Sequence, residues 1–312
     1  MKVGAIVLAT EQGLGYLAKD FFDNGVIDYV LIQPHSSRTN HYEWYPAEAR
    51  VKDIQELVFR CDSLLFFEEL WNWKVIPLAR NEGKPTVLMP MYECTRNPLP
   101  YQPSKIICPS LLDMQYYPHG EFIPVPVDVK WRLRKRARVF VHNAGNGGIG
   151  GRNGTKELVE AMQYVKSPLK LIIRSQVYIK PPDDPRIELQ IGTVRKEHLW
   201  DTGDVFVFPE KFNGLSLPLQ EAFASGMAVM AGNRFPINTW LPNPLLIPTC
   251  GYKKERIAVE FECAQYDPKT IAATMDEWYD KDISSFSKQG RVWAYQNSWK
   301  KLKGKYLTAL SR

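Results

Sequence analysis

Long apolar runs are absent from this sequence. No stretch approaches the roughly 20 consecutive apolar residues that a membrane-spanning helix needs. The N-terminal residues, MKVGAIVLATEQGLG, also lack the small-residue cleavage site of a signal peptide, and they are better interpreted as the start of a buried strand. We therefore expect neither a transmembrane segment nor a secretory leader.

Cysteine is scarce, with five residues in a chain of 312. They are Cys61, Cys94, Cys108, Cys250 and Cys263. The count is odd and no two of them have the C-x-x-C spacing, which argues against a disulfide framework and against a zinc site. This pattern is typical of a reducing compartment, and we expect a cytoplasmic protein.

The composition that remains is that of a folded protein. Apolar residues make up 45% of the chain and charged residues 24%, which predicts a globular protein with a substantial core. The length suits two domains or one large domain. The formal net charge of +6 permits an anionic partner such as a nucleotide, nucleic acid or a lipid surface, but does not require one.

The first half of the chain alternates predicted strands with predicted helices, beginning with a strand at 2–9, a turn at 10–15 and a helix at 16–22. This alternation predicts a parallel sheet covered on both faces. In such sheets ligands bind beyond the carboxyl ends of the strands. Gly13, Gly15 and His35 are expected at that rim, with the aromatic loop that contains His41 following.

The stretch 204–242 is the most informative of the sequence. It predicts a strand at 205–208, a polar turn at 210–216 containing Gly214, a helix at 217–224 closed by Gly226, and a second strand from 228. A turn that leads into a helix N-terminus is a phosphate-binding arrangement. Glu221, one turn inside the helix, is predicted to reach a ribose diol beside that phosphate.

Two further segments precede it. The segment 130–138, KWRLRKRAR, is the most basic of the chain, and it is either a solvated hinge face or an anion-facing patch at the mouth of a cleft. The segment 143–154, NAGNGGIGGRNG, is dense in glycine, which lets a backbone approach a ligand closely. Arg152 or Lys156 is then placed to neutralise a diphosphate.

The stretch from Asn213, NGLSLPLQEAFASGMAV, resembles the motif E-G-F-G-L-P-x-x-E-A-x-A-x-G-x-P-V of retaining glycosyltransferases of the GT-B type, family 4. Supporting similarities are FIPVPVD at 122–128, GRNG at 151–154 and the helix WAYQNSW at 293–299. The resemblance covers nearly all of the second half of the chain, whereas the first half is similar in layout more than in residues.

The resemblance implies an α/β fold of two Rossmann-like domains facing across a cleft. It implies an acceptor domain at 1–128, a nucleotide-sugar donor domain at 129–285, and a C-terminal helix at 286–312 that crosses back to the first domain. The implied reaction moves a sugar from a nucleoside-diphosphate sugar to a hydroxyl acceptor, with retention and without a metal. No cofactor is expected, and no DxD-type carboxylate pair stands at a predicted strand end.

The resemblance also assigns roles to individual residues. The donor-binding set is Gly214, the backbone N–H groups of Leu215, Ser216 and Leu217, the side chain of Glu221, and Arg152, Lys156 and Arg174. The acceptor side is Gly13, Gly15, His35 and His41. The candidate catalytic residues are Asn213 and Glu210.

Position 213 departs from the family pattern. The family has a glutamate eight residues before Glu221, whereas this chain has Asn213 there, which carries no negative charge. Glu210 is a possible substitute if the loop folds back. The alternative hypothesis is a catalytically inactive module that binds a nucleotide sugar. The predicted acceptor is a saccharide, a lipid-linked sugar or, as in phage enzymes, a modified DNA base held partly by the segment 130–138.

Overall fold

The computed structural model describes residues 1–146, 151–180, 183–242 and 245–311. The chain divides into two compact units. Unit 1 comprises Met1–Pro126, Arg256–Val259 and Trp299–Arg312, and unit 2 comprises Val127–Glu255 and Glu260–Ser298. Each unit contains a parallel sheet of six strands, so the predicted α/β class with two Rossmann-like sheets is confirmed.

Unit 1 begins with alternating strands and helices. In chain order they are β1 (Val3–Val7), α1 (Gly13–Asp23), β2 (Tyr29–Ile32), α2 (Ile54–Arg60), β3 (Ser63–Phe67), α3 (Val75–Asn81), β4 (Thr86–Met89), β5 (Lys105–Cys108), α4 (Leu111–Tyr116) and β6 (Glu121–Phe122). The sheet order is β2-β1-β3-β4-β5-β6. All residues of β3 are buried, as expected for a strand with helices on both faces.

One additional bridge extends the sheet of unit 1. Arg50 pairs with Val30 of β2 in parallel, on the side of β2 away from β1. If this bridge is counted as a strand of its own, the strands follow the order 3-2-1-4-5-6 of a Rossmann fold, with β6 added at the far edge. The direction of the strand order therefore reverses between β1 and β3.

Unit 2 repeats the plan. Its elements are β7 (Val139–Gly145), α5 (Thr155–Ala161), β8 (Lys170–Ser175), β9 (Ile187–Ile191), β10 (Val205–Phe208), α6 (Leu217–Ala224), β11 (Ala228–Gly232), β12 (Leu246–Ile247), β13 (Gly251–Arg256), β14 (Glu260–Gln265), α7 (Pro268–Trp278) and α8 (Ser284–Gln296). The sheet order is β12-β11-β10-β7-β8-β9. Counted from β7, this is the Rossmann order 3-2-1-4-5-6, with the reversal between β7 and β10.

The sheet of unit 2 is buried between two apolar layers. One layer packs α5 and α7 against the sheet through residues such as Leu158 and Met275. The other packs α6 through Leu219 and Phe223 against Phe206 of β10. Because both faces are covered, every residue of β10 and β11 is buried. A ligand can therefore reach this part of the sheet at the edges where the strands end.

The C-terminal helical segment is divided between the units. Helix α8 belongs to unit 2, whereas the last helix, α9 (Trp299–Leu310), belongs to unit 1. Trp299 and Tyr306 both pack edge-to-face on Phe21 of α1, with ring centroids 5.0 Å and 4.8 Å away. The buried hydroxyl of Tyr306 donates to the carbonyl of Ile123 at 3.1 Å, so α9 closes one face of the unit 1 sheet.

Candidate functional site

The strand order of unit 2 reverses between β7 and β10, and two loops leave the sheet at the carboxyl ends of these strands. The first is the glycine-dense loop before α5, of which residues 147–150 lie outside the described part of the chain. The second is the loop 209–216 before α6. Ligands of open α/β sheets bind in the crevice at such a reversal. These two loops, with the start of α6, are the candidate site.

The two loops are in direct contact. Gly154 has φ of +69°, and a Cβ atom placed there would lie 2.2 Å from the carbonyl oxygen of Pro209. The N–H of Lys211 donates to the carbonyl of Arg152 at 2.7 Å, and the Lys211 ammonium pairs with Glu157 at 2.7 Å. Only glycine combines the left-handed backbone with this close approach, so the loop contact depends on Gly154.

His142, in the middle of β7, connects β10 to the start of α5 through two hydrogen bonds of its ring. Its Nδ1 lies 2.9 Å from the carbonyl of Val207, which can only accept, so Nδ1 carries the proton and donates. Its Nε2 then accepts from the hydroxyl of Thr155 at 2.7 Å, which fixes the first residue of α5. Burial lowers the pKa of His142 from 6.5 to about 4, against the smaller opposing effect of the Val207 hydrogen bond. The ring is therefore neutral at physiological pH.

A neutral buried histidine makes stability depend on pH. Its pKa is lower in the folded chain, so between pH 6.5 and 4 the unfolded chain binds the proton and stability falls as pH falls. From about pH 7 to about pH 4.5 we expect the wild type to lose about 2 kcal/mol more of its free energy of unfolding than His142→Gln. Urea unfolding of both proteins at the two pH values measures this. Equal losses would contradict the buried neutral imidazole.

Asn213 shapes the turn that leads into α6. Its side-chain oxygen accepts from the N–H of Leu215 at 3.0 Å and from the N–H of Ser216 at 3.1 Å. Its amide nitrogen donates to Glu210 Oε1 at 2.9 Å. Two of the three backbone donors predicted to face a diphosphate are thus used inside the loop, because an asparagine oxygen close to them accepts both.

Glu210 is the other half of this arrangement. It is 2% exposed, and its Oε2 pairs with Nη2 of Arg234, 4% exposed, at 2.9 Å. Arg234 also donates to the carbonyls of Glu210 at 2.8 Å and Asn213 at 3.0 Å, and Tyr266 donates to the former at 2.9 Å. Both candidate catalytic residues therefore bind other parts of the loop. Their catalytic roles stay predictions.

The N-terminus of α6 keeps polar groups available. Ser216 precedes the helix with φ of +45°, and its fully buried hydroxyl oxygen has no hydrogen-bond partner among the described residues. The N–H of Leu217 likewise has no acceptor in the described part of the chain, and Pro218 has no N–H to offer. The positive end of the helix dipole lies at the same point.

Glu221 lies one turn further along α6, as predicted, and is half-buried. The indole N–H of Trp200 donates to its Oε2 at 3.3 Å. Trp200 itself is buried and packs edge-to-face on Phe206 of β10, with centroids 5.1 Å apart. The carboxylate is therefore oriented by an indole that the core holds in a fixed position.

The predicted cations differ in their surroundings. Arg152 is half-buried in the first loop, and Lys156 is exposed in the first turn of α5. Arg174, near the end of β8, is buried and donates to Gln190 at 3.1 Å, and also to the carbonyl of Leu199 and the hydroxyl of Thr202. Arg152 therefore lies in the candidate site and Lys156 in the helix that follows its first loop, whereas Arg174 is bound to β9 and to the segment after it.

In unit 1 the equivalent edge lies after β1. Helix α1 begins at Gly13, and a Cβ atom at Gly15 would lie 2.1 Å from the carbonyl oxygen of Thr10. This close approach brings the first turn of α1 onto the end of the strand. A Cβ atom at Gly13, by contrast, would have no described atom within 4 Å, so the neighbourhood of Gly13 is open.

Of the two predicted histidines, His41 reaches this edge. Its backbone N–H donates to the carbonyl of Ala9 at 2.7 Å, and its ring stacks on Trp44 with centroids 5.0 Å apart. Its Nδ1 lies 2.8 Å from the carboxylate of Glu43. His35 instead forms hydrogen bonds within its own loop. Its backbone N–H donates to the Asn40 side chain at 2.8 Å, and its ring nitrogen accepts from the backbone N–H of Ser37 at 3.2 Å.

Neither a metal site nor a membrane-spanning helix is found among the described residues. No three His, Cys, Asp or Glu side chains of the described ranges converge as metal ligands do. No helix within these ranges is both long and apolar enough to cross a membrane. The metal independence expected from the sequence stays a prediction.

Sequence reasoning missed Arg234, Trp200 and His142 as residues of this site. Arg234 follows the apolar strand β11 closely, and an arginine directly after a buried strand can indicate a buried ion pair. His142 stands inside an apolar run, which indicates a buried imidazole but not its partners. Nothing in the sequence around Trp200 distinguishes it from other core tryptophans.

The comparisons with known proteins identify the fold. Neither a protein-family model nor a curated protein sequence matches the chain. Among solved structures, HepE from Anabaena in complex with UDP is 11% identical with a TM-score of 0.70, and the match covers 100% of both chains. The chain has the fold of HepE and of a solved glycosyltransferase. HepE has also been solved in complex with UDP-glucose.

Two other structures support the same fold. A glycosyltransferase from Rickettsia africae is 11% identical with a TM-score of 0.65, over 100% of this chain and 99% of that one. Sucrose-phosphate synthase from Thermosynechococcus elongatus is 13% identical with a TM-score of 0.61, over 98% and 97%. At such identities the similarity concerns the glycosyltransferase fold, not the reaction.

Proposed function

We propose that the protein is a glycosyltransferase that moves a sugar from a nucleoside-diphosphate sugar to a hydroxyl acceptor. The observation that carries the proposal is the start of α6 at the strand-order reversal of unit 2. There the Ser216 hydroxyl and the Leu217 N–H have no partner among the described residues, at the positive end of a helix. The complexes of HepE with UDP and UDP-glucose support the donor class.

The donor is bound by groups with separate tasks. The diphosphate lies at the start of α6, where Ser216 and Leu217 donate hydrogen bonds and Arg152 or Lys156 supplies positive charge. Glu221 accepts from the two ribose hydroxyls, with Trp200 holding the carboxylate in place. Asn213, Glu210 and Arg234 act as positioning residues, because their hydrogen bonds fix the turn that presents these donors.

The reaction breaks the bond between the anomeric carbon and the diphosphate oxygen and forms a bond from that carbon to the acceptor oxygen. Negative charge develops on the departing diphosphate, where the helix N-terminus and the cations stabilise it. The acceptor proton passes to the departing phosphate, so neither a metal nor a dedicated protein base is required. We propose retention of the anomeric configuration, which this route allows.

We place the acceptor-binding site in unit 1. Gly13, Gly15 and His41 gather at the carboxyl end of β1, where an open backbone and an imidazole stacked on Trp44 are available to a hydroxyl compound. We favour a saccharide or a lipid-linked sugar over a modified DNA base. The basic segment expected to hold DNA belongs to unit 2 and lies at the edge of its sheet opposite the donor loops.

A second candidate is a module of the same fold that binds a nucleotide sugar without turnover. The observation in its favour is that Glu210 and Asn213 are both engaged inside the loop. In this state neither supplies a free negative charge to an oxocarbenium-like transition state.

A nucleotide thermal-shift assay combined with a turnover assay tests the proposal. UDP-glucose and other nucleotide sugars at about 100 times Kd should stabilise the native protein by about 2.7 kcal/mol. Glu221→Ala should lose most of this shift, and Glu221→Gln, which can still accept from Trp200, should lose part of it. Glu160→Ala, an exposed glutamate of α5, is the matched control and should keep it.

The outcomes separate the two candidates. A shift together with sugar transfer or donor hydrolysis supports the enzyme. A shift that depends on Glu221 with no turnover of any donor supports the binding module. If no nucleotide sugar raises the unfolding temperature, both candidate functions are contradicted.

A further inference from the structure

Unit 2 has a second concave site, at the opposite edge of its sheet. A pocket of about 530 Å³ opens at the amino ends of β7, β8 and β10. It is lined by residues of the segment 132–139, by the start of β8 at Lys170, and by the segment 201–204 before β10. The donor loops leave the carboxyl ends of the same strands, so the two sites are separated by the length of the sheet.

The charge of this basic pocket is unbalanced. Six of its lining residues are lysine or arginine and two are aspartate. One of the aspartates, Asp204, already accepts from the backbone N–H groups of Arg138 and Val139 at 3.2 Å and 2.9 Å. Arg138 and Lys170 pair with acidic residues outside the lining, Asp280 and Glu188. The other four cations have no ion-pair partner within the described ranges.

Arg134 is the lining residue that most strongly indicates an anion-binding pocket. Its side chain is 4% exposed, and its Nη2 donates to the carbonyl of Trp200 at 2.7 Å. Its Nε–H is buried without any acceptor among the described residues. Burial first, and then the like charge of Arg132, lower the pKa of Arg134. A buried donor on a poorly compensated charge is costly, and an anion bound beside the guanidinium would offset the charge.

A purely structural role accounts for only part of this cluster. Arg132 and Arg136 each donate to a backbone carbonyl, of Asp201 at 3.3 Å and of Asp280 at 2.7 Å. Such bonds satisfy carbonyl groups that would otherwise lack a donor. A guanidinium has five N–H groups, however, so these bonds use only a small part of the donors that the arginines carry. Lys135 is exposed, and its charge is therefore available to a ligand in the pocket.

We propose that the basic pocket binds a small molecule carrying two or more phosphate groups. Its volume lies in the range of small-ligand sites, and its donors are the forked guanidinium groups that suit phosphate oxygens. None of its described lining residues is aromatic, so it lacks the stacking platform of a single-strand nucleic-acid site.

Binding of inorganic tripolyphosphate to the full-length protein tests this proposal. The probe is titrated by calorimetry in the presence of saturating UDP, so that the donor site does not contribute. The double variant Arg132→Gln/Lys135→Gln removes two cations of the pocket and leaves Arg134 in place. The matched control Arg195→Gln/Lys253→Gln removes one exposed arginine and one exposed lysine elsewhere in unit 2.

We expect the pocket variant to bind tripolyphosphate about tenfold or more weakly, and the control to bind within about twofold of wild type. Arg134→Lys, which keeps the charge but loses the guanidinium fork, should also weaken binding. Equal affinities of the pocket variant and the control would overturn the proposal and leave the arginines as carbonyl donors only.

Two further probes distinguish other anionic partners. Short duplex DNA and vesicles containing anionic lipid are titrated with the wild type, the double pocket variant and the double control variant, three proteins in all. Tripolyphosphate binding that depends on the pocket, with DNA and vesicles binding weakly and equally to all three, supports a small phosphorylated ligand. DNA or vesicle binding that depends on the pocket, with no tripolyphosphate binding, would overturn it in favour of that polymer or surface.

Discussion

Replacing Arg234 with methionine should lower the free energy of unfolding by about 3–5 kcal/mol, the usual cost of leaving one partner of a buried ion pair alone. Glu210 is 2% exposed, and Arg234 is its only cationic partner among the described residues. The substitution also leaves the carbonyls of Glu210 and Asn213 without the guanidinium. The loop 209–216 should lose its fixed shape, and nucleotide affinity should fall with it. Urea unfolding and nucleotide titration measure the two effects.

Two other variants control this prediction. Arg234→Met combined with Glu210→Leu removes both charges and should recover part of the lost stability, because no buried charge is left alone. Lys254→Met breaks the exposed pair of Lys254 with Glu260 and should leave the free energy of unfolding nearly unchanged, because water and salt screen an exposed pair. A loss of less than about 1 kcal/mol in Arg234→Met alone would contradict the buried pair.

Replacing Gly154 with alanine should separate the two loops of the candidate site. The residue has φ of +69°, which costs an L-residue about 1–2 kcal/mol. The added Cβ would also lie 2.2 Å from the carbonyl oxygen of Pro209, which is backbone and cannot rotate away. Because the proposed diphosphate site needs both loops in place, we expect nucleotide affinity to fall about tenfold or more.

The same loop provides the control. Gly151 has a similar φ of +66°, but a Cβ atom there would have no described atom within 4 Å. Gly151→Ala therefore introduces backbone strain without a steric clash, and it should keep nucleotide affinity close to that of wild type. Thermal unfolding and nucleotide titration of both variants separate strain from loop displacement. Similar affinities in the two variants would show that the contact with Pro209 has no bearing on donor binding.

The local structure of the donor stretch was predictable. The strand β10 and the helix α6 have the predicted bounds, Val205–Phe208 and Leu217–Ala224. Their ends are marked in the sequence by Pro209, which cannot continue the strand, and by Gly226, which has φ of +92° after the helix. Where a chain segment ends at such residues, periodicity and turn chemistry are sufficient.

The polar partners inside the site were not predictable. Arg234 meets Glu210 across 24 positions of sequence, and Trp200 meets Glu221 across 21. Glu210 and Arg234 meet because β10 and β11, which they follow, are neighbours in the sheet, and Trp200 meets Glu221 because α6 packs back on β10. A pattern of apolar residues does not say which side chains then meet. The strand β13 was missed for another reason: its residues are all exposed, so it shows no apolar alternation.

For the basic segment 130–138 the sequence left two interpretations open, a solvated hinge face or an anion-facing patch at the mouth of a cleft, and both stay predictions. Composition reports only the sign of a charge. The segment comes directly before β7, and a segment that enters a parallel strand lies at the amino edge of its sheet. Ligand loops lie at the carboxyl edge. Connectivity therefore places these cations opposite the donor loops, in the pocket at the amino ends.

Trp200 forms hydrogen bonds to one residue of the basic pocket and to one residue of helix α6 in the proposed donor site. Its carbonyl accepts from Arg134 in the basic pocket at 2.7 Å, and its indole N–H donates to Glu221 in the donor site at 3.3 Å. A ligand that draws Arg134 away at one end acts on the residue that orients Glu221 at the other. Any coupling free energy carried this way is reciprocal. A phosphate ligand that tightened nucleotide binding would itself be bound more tightly by the nucleotide-loaded protein, and by the same factor.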